Sequence, residues 1–90
     1  KYYDTPEIKV PVSDENKFMI VEKVKEYCHD KNYETIEVDG VRVNFKDSWG
    51  LVRASNTGPN LTLRFEATTE ERLEELKNEF MDIIKKIENN

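Results

Sequence analysis

The chain has 90 residues, of which 37% are hydrophobic and 37% charged. That describes one small domain with a modest core and a well-solvated surface. A formal net charge of −5 argues against a nucleic-acid or anionic-membrane surface, since both need a net basic face. The single cysteine, Cys28, excludes an internal disulfide and fits a cytoplasmic location. No apolar run reaches the length of a membrane span, and no signal-peptide pattern opens the sequence.

Residues 1–6 read as an interdomain linker or hinge and 7–90 as a single domain. Tyr2 and Tyr3 are apolar enough to pack on a neighbour. Glu7 to Val12 alternates Ile8, Val10 and Val12 against Glu7, Lys9 and Pro11, which is the pattern of a half-buried strand. Pro11 lacks an N–H, so that strand runs along a sheet edge. Ser13 or Asp14 then caps a helix, with Asp14 and Glu15 suited to its positive end. Phe18, Val21, Val24 or Lys25, and Cys28 follow helical spacing, and Ile20 and Tyr27 widen the apolar stripe. The helix fades near His29 to Asn32. Cys28-His29-Asp30 makes no metal or nucleophile site, because adjacent helix positions do not face each other and no second ligand cluster exists.

Glu34 to Val38 is a short strand. Asp39-Gly40 signals a type I′ hairpin, which needs positive φ at both central residues. The return strand turns Val41, Val43 and Phe45 inward and Arg42, Asn44 and Lys46 outward. After a turn at Lys46-Asp47-Ser48, Trp49 to Arg53 is the next strand, with Trp49 packing at the core or rim. Leu61 to Ala67 follows, with Leu61, Leu63, Phe65 and Ala67 on one face and Thr62, Arg64 and Glu66 on the other. Thr68-Thr69-Glu70-Glu71 reads as a capping box in which Thr68 reaches Glu71. Leu73, Leu76, Phe80, Ile83, Ile84 and Ile87 form the stripe of a second helix, with Met81 beside it. Its glutamates lie on the solvated face, and Lys85 and Lys86 suit its C-terminal end. The order β-α-β-β-β-β-α predicts an α+β fold, a mainly antiparallel sheet of four to five strands with two helices on one face.

Between the last two strands lies Arg53-Ala54-Ser55-Asn56-Thr57-Gly58-Pro59-Asn60. It is a run of turn formers in which Asn56 and Gly58 tolerate positive φ and Pro59 fixes its own. The run also has the chemistry of an anion site. Arg53 carries a planar fork of donors suited to phosphate. Ser55 and Thr57 add hydroxyls, Asn56 an amide, and Gly58 lets backbone N–H groups come close. From Asp39 to Arg64 four basic residues (Arg42, Lys46, Arg53, Arg64) face two acidic ones (Asp39, Asp47), a local balance of +2 in a chain of −5. On residue types alone, an ordinary hairpin loop whose Ser and Thr satisfy their own backbone remains the other reading.

The ordered string Arg53-Ala54-Ser55-Asn56-Thr57-x-Pro59, entered from Trp49-Gly50 and left through Leu61-Thr62-Leu63-Arg64-Phe65-Glu66-Ala67, resembles the phosphate-binding loop of the α-D-phosphohexomutases. The Ser-Asn-Thr form is similar to the bacterial phosphomannomutase/phosphoglucomutase branch. Thr5-Pro6-Glu7-Ile8, Asp39-Gly40-Val41-Arg42-Val43 and the acidic helix after Ala67 extend the likeness over most of the chain. Gly58 departs from it, since many of that family carry Glu or Thr there.

The resemblance implies the last domain of a four-domain enzyme, with a topology like one repeat of the TATA-binding protein. It implies substrate phosphate binding by Arg53, Ser55, Asn56, Thr57 and Gly58. The parent enzyme would interconvert hexose 1-phosphate and hexose 6-phosphate of mannose or glucose with Mg²⁺. The chain itself holds no phosphoserine loop, metal string or sugar-reading string, so it is expected to be inactive alone and to need no cofactor or metal. Its expected partners are the phosphosugar and the other domains of the parent, with no nucleic acid and no membrane. The alternative is a non-catalytic, ferredoxin-like protein-interaction module.

Overall fold

A computed structural model describes residues 2–89. Lys1, in the expected linker, and Asn90, at the end of the expected domain, lie outside the described residues. Strand β1 is Tyr3–Asp4 and β2 is Ile8–Pro11; helix α1 is Lys17–Asp30. Strands β3 (Glu34–Ile36), β4 (Val41–Asn44), β5 (Ser48–Ala54) and β6 (Asn60–Ala67) follow, and helix α2 is Glu70–Glu88. The result is the expected α+β fold, a six-stranded antiparallel sheet in the order β1-β6-β5-β4-β3, with β2 also on β6.

Period-two alternation decides which face is covered. Val41, Val43, Val52, Leu61, Leu63 and Phe65 turn to one side and are at most 2% exposed. They form one core with Ile20, Val21, Val24 and Cys28 of α1 and Leu73, Leu76, Phe80 and Ile84 of α2. Both helices therefore lie on the same face. The other face carries the rows Arg42–Leu51–Arg64 and Asn44–Trp49–Glu66. Trp49 is partly covered on that face, under the Arg42 guanidinium at 4.2 Å from its ring centre.

β1 and β2 share the outer side of β6, so part of the segment read as a linker joins the sheet. Thr5 bridges the gap between them. Its N–H donates to the Phe65 carbonyl at 3.0 Å, and its Oγ1 accepts from the Phe65 N–H at 3.1 Å. A side-chain oxygen thus completes the ladder where the chain kinks at Pro6. Pro11 lies opposite Asn60 on this edge, as its missing N–H requires.

Five local expectations change. Helix α1 starts after Asn16, not after Ser13 or Asp14, because 13–16 form a turn: the N–H groups of Asn16 and Lys17 both donate to Ser13 O at 3.1 Å. Phe18 is 62% exposed, because Lys17 and not Phe18 falls in helical phase with the buried Ile20, Val21, Val24 and Cys28. The cap of α2 is Thr69, whose Oγ1 accepts from Arg72 N–H at 3.0 Å. Thr68, just past β6, instead donates its N–H to Asp47 O at 3.0 Å, so the expected capping box does not form. At the β3–β4 turn only Gly40 has positive φ (+73°), so the turn is not type I′. The strand ends early at Ile36, where Glu37 takes bonds from Thr35 Oγ1 and His29 Nε2, both at 2.6 Å. Those bonds hold the Glu37 carboxyl below its ordinary pKa, the Thr35 hydroxyl contributing most.

Candidate functional site

The loop from Ser55 to Asn60 closes on itself before it meets any ligand. Ser55 N–H donates to Asn60 O at 2.9 Å, and Asn60 N–H donates to Gly58 O at 2.9 Å. Val12, just past β2, donates its N–H to Pro59 O at 2.9 Å. Ser55 Oγ accepts from Thr57 N–H at 3.2 Å and lies 3.4 Å from Thr57 Oγ1. This is the local serine turn that such residues favour. Ser55 is buried, while Asn56, Thr57 and Pro59 are exposed.

Beneath the loop sits a residue that the motif reading missed. Lys17, the first residue of α1, is 6% exposed. Its Nζ donates to Ser55 O at 2.8 Å and to Gly58 O at 3.1 Å, and pairs with Asp14 Oδ1 at 2.9 Å. Three N–H donors meet three oxygens, the condition for burying an ammonium without an unmet donor. Spacing carried the signal: Lys17, Val21, Val24 and Cys28 recur at intervals of four, three and four, which places Lys17 on the buried stripe.

The anchored Ser55 carbonyl fixes the opposite end of its peptide, whereas the Gly58 carbonyl's peptide ends on Pro59, which has no N–H. All peptide bonds described are trans, and in a trans peptide the N–H points away from the C=O. With Ser55 O turned inward to Lys17, Asn56 N–H turns outward. Neither Asn56 N–H nor Gly58 N–H has an acceptor among the described residues. Asn56, Thr57 and Gly58 border a shallow concavity of about 480 Å³, shared with Asp14, Lys17 and Pro59. The expected positive φ occurs at neither Asn56 nor Gly58. A Cβ at Gly58 would meet only Asn60 Nδ2, at 3.1 Å.

Arg53 stands apart from these hydroxyls. It pairs with Thr62 in register and lines a second concavity of about 300 Å³, with Glu7, Asp39, Leu51, Thr62 and Arg64, on the uncovered sheet face. Its Nη1 donates to Asp39 Oδ2 at 3.3 Å. The β3–β4 turn is fitted tightly behind it: a Cβ on Gly40 would lie 2.4 Å from Val52 O and 2.6 Å from Arg53 Cβ. Asn56, Thr57 and Gly58 thus line one concavity, buried Ser55 does not, and Arg53 lines another.

Among the described residues, no group of three His, Cys, Asp or Glu could hold a metal ion. Cys28 is buried in the core, its thiol pushed up to about 12 by burial and, less, by Glu79 and Glu37. It is a packing residue, not a nucleophile. His29 at the helix end engages Glu37. No described helix is long and apolar enough to cross a membrane.

With this geometry established, comparison with known proteins is decisive. Residues 7–83 match the family model described as "Phosphoglucomutase/phosphomannomutase, C-terminal domain". The chain belongs to the phosphoglucomutase/phosphomannomutase C-terminal domain family. Within it, the chain is 45% identical over 84 residues to a phosphomannomutase/phosphoglucomutase of Pseudomonas aeruginosa, covering 93% of this chain and 18% of that protein. It is 55% identical over 51 residues to a phosphoglucomutase of Neisseria meningitidis, covering 57% of this chain and 11% of that protein. A crystal structure of a phosphoglucomutase/phosphomannomutase family protein from Burkholderia thailandensis superposes with a TM-score of 0.75 at 31% identity, covering 94% of this chain and 18% of that one. The chain therefore spans less than a fifth of the length of these relatives, as a phosphoglucomutase/phosphomannomutase C-terminal domain does.

Proposed function

We propose that this chain grips the phosphate of a hexose phosphate for a parent phosphohexomutase that interconverts the 1- and 6-phosphates of glucose or mannose. It holds the phosphate that is not being transferred and closes over the active site, and it is not catalytic alone. The observation that carries the reading is the anchored loop. The Ser55 carbonyl is tied inward on Lys17, which turns the Asn56 N–H outward to meet an anion, and the Gly58 carbonyl is tied to the same ammonium. A concavity of backbone N–H groups is itself an anion cradle.

Arg53 adds the charge. Its contact with Asp39 is a partly exposed ion pair at 3.3 Å, with side chains 35% and 72% exposed. Such pairs contribute about 0–1 kcal/mol. A charge-assisted hydrogen bond contributes about 1.5–3 kcal/mol, so a phosphate displaces Asp39 at a net gain. Arg53 then turns from the turn to the ligand, while Thr57 donates its hydroxyl and Ser55 holds Thr57 in place.

Binding energy gained at the phosphate, remote from the reacting group, orients the sugar and draws the domain onto the cleft. Closure excludes water from a phosphorylated intermediate that it would otherwise hydrolyse. Mg²⁺ belongs to the other domains in this reading, because the residues here do not fit it. Two or three charge-assisted bonds must offset the entropy of association, so the isolated chain binds at about millimolar strength or weaker. Arg53→Ala tests the assignment by amide chemical-shift titration with glucose 1-phosphate. The variant should lose the saturable shifts at Asn56–Asn60 while its spectrum elsewhere stays unchanged. An unaltered titration in Arg53→Ala would overturn the role given to Arg53.

A further inference from the structure

The buried ammonium beneath the loop is costly, and its geometry shows what it secures. An unmatched charge in a core is strongly destabilising, yet Lys17 is 6% exposed and meets three oxygens within 3.1 Å. Two of those oxygens are backbone carbonyls of the same loop, reached across sequence separations of 38 and 41 residues. A lysine placed only to fill space would leave its ammonium to solvent, as lysine stems ordinarily do. Here the charge is turned inward and the loop is draped over it.

We propose that Lys17 is a positioning residue for anion binding: it holds the Ser55 carbonyl inward so that the Asn56 N–H faces the concavity, and ties down the far side of the loop through the Gly58 carbonyl. The inference rests on the phosphate-binding reading of this loop and adds a residue to it. Lys17 does not touch the ligand. It acts through the peptide planes, and its positive charge lowers the cost of bringing an anion to the same concavity. Asp14, 71% exposed at its side chain, borders that concavity and partly cancels this charge. The two residues therefore have opposite signs of effect: loss of Lys17 weakens phosphate binding, and neutralising Asp14 strengthens it.

The test uses ¹⁵N-labelled chain titrated with inorganic phosphate, and backbone relaxation without ligand. In Lys17→Met, amide order parameters at Asn56–Gly58 fall from about 0.85 to below about 0.6. The phosphate dissociation constant rises about tenfold or more, while shifts in β6 stay in place. Asp14→Asn leaves the order parameters unchanged and tightens phosphate binding about twofold. Because Asp14 is exposed, that variant also serves if Lys17→Met fails to fold, and an unchanged or weakened affinity in it then overturns the proposal. A loop that stays ordered in Lys17→Met, or one that loosens with no change in affinity, overturns it as well. Wild-type chain that shows no phosphate response overturns the binding reading and this inference with it; wild-type binding that Lys17→Met leaves intact overturns this inference alone.

Discussion

Gly40 and Gly58 lie on either side of Arg53 in the chain, and their backbones make opposite demands. Gly40 has φ +73° and packs against Val52 and Arg53, where a Cβ would stand 2.4–2.8 Å from three atoms. Gly40→Ala therefore combines left-handed strain with a collision against backbone, and should cost roughly 2–4 kcal/mol by denaturant unfolding. Gly58 lacks positive φ and faces only the movable end of Asn60. Gly58→Ala should change stability by no more than about 0.5 kcal/mol. Equal losses at both positions would contradict the conformational account. The sequence marked both as turn residues but could not rank them, because the distinction lies in what approaches each Cα from a distant strand. Ser55, Asn56 and Thr57 were legible for the opposite reason: their ordered spacing is local, and the structure places their side chains within one loop.

At the scale of elements, two short polar residues close gaps that periodicity could not locate. Thr69 caps α2 through Arg72 N–H, so Thr69→Ala should lower stability by about 1 kcal/mol. Thr68→Ala should cost less, since Thr68 uses only its backbone here; the reverse ranking in thermal unfolding would restore the earlier cap. Cap registers one residue apart look alike in Thr68-Thr69, and tertiary contact with Asp47 decides between them. The same holds for α1: its buried stripe was readable from Val21, Val24 and Cys28, but its start was not, because the 13–16 turn consumes the residues that resembled a cap. Taking Phe18 for its neighbour Lys17 at the head of the stripe hid the support of the loop. Thr5 escaped notice because its Oγ1 replaces a strand carbonyl 60 residues away.

For the whole molecule, the pairing of the two helices sets the alkaline limit of stability. Tyr27 and Tyr33 of one layer both donate to Glu79 Oε2 of α2 at 2.6 Å. Burial, then the Glu79 hydrogen bond, raises both phenols above their ordinary value. Burial likewise raises the Cys28 thiol from 9.0 to about 12. Each group stays protonated in the folded chain when the unfolded chain has already ionised. Their contribution is complete below pH 9 and is lost as pH rises toward 12. On the acid side the sign reverses. The Ser48 hydroxyl, with Arg72, depresses Asp47, and Glu37 is depressed as described, so their contribution is present at neutral pH and disappears as pH falls below their ordinary values of 3.8 and 4.5. Urea unfolding across pH should therefore give a plateau near neutrality that declines on both sides. Cys28→Ser should flatten the alkaline limb, and native Cys28 should react with thiol reagents at pH 8 only as fast as the chain unfolds.

Charge distribution is the other whole-molecule property, and it carries the functional claim. A chain of net −5 gathers Arg42, Arg53 and Arg64 on its uncovered sheet face and sets the anchored loop at that sheet's end. The most direct measurement is an amide titration of the chain with glucose 1-phosphate, with sulfate and glucose as controls. The account predicts saturable shifts confined to Arg53 through Asn60, produced by both anions and absent with glucose. Shifts that are absent there at tens of millimolar ligand, or that appear equally with glucose, would contradict it.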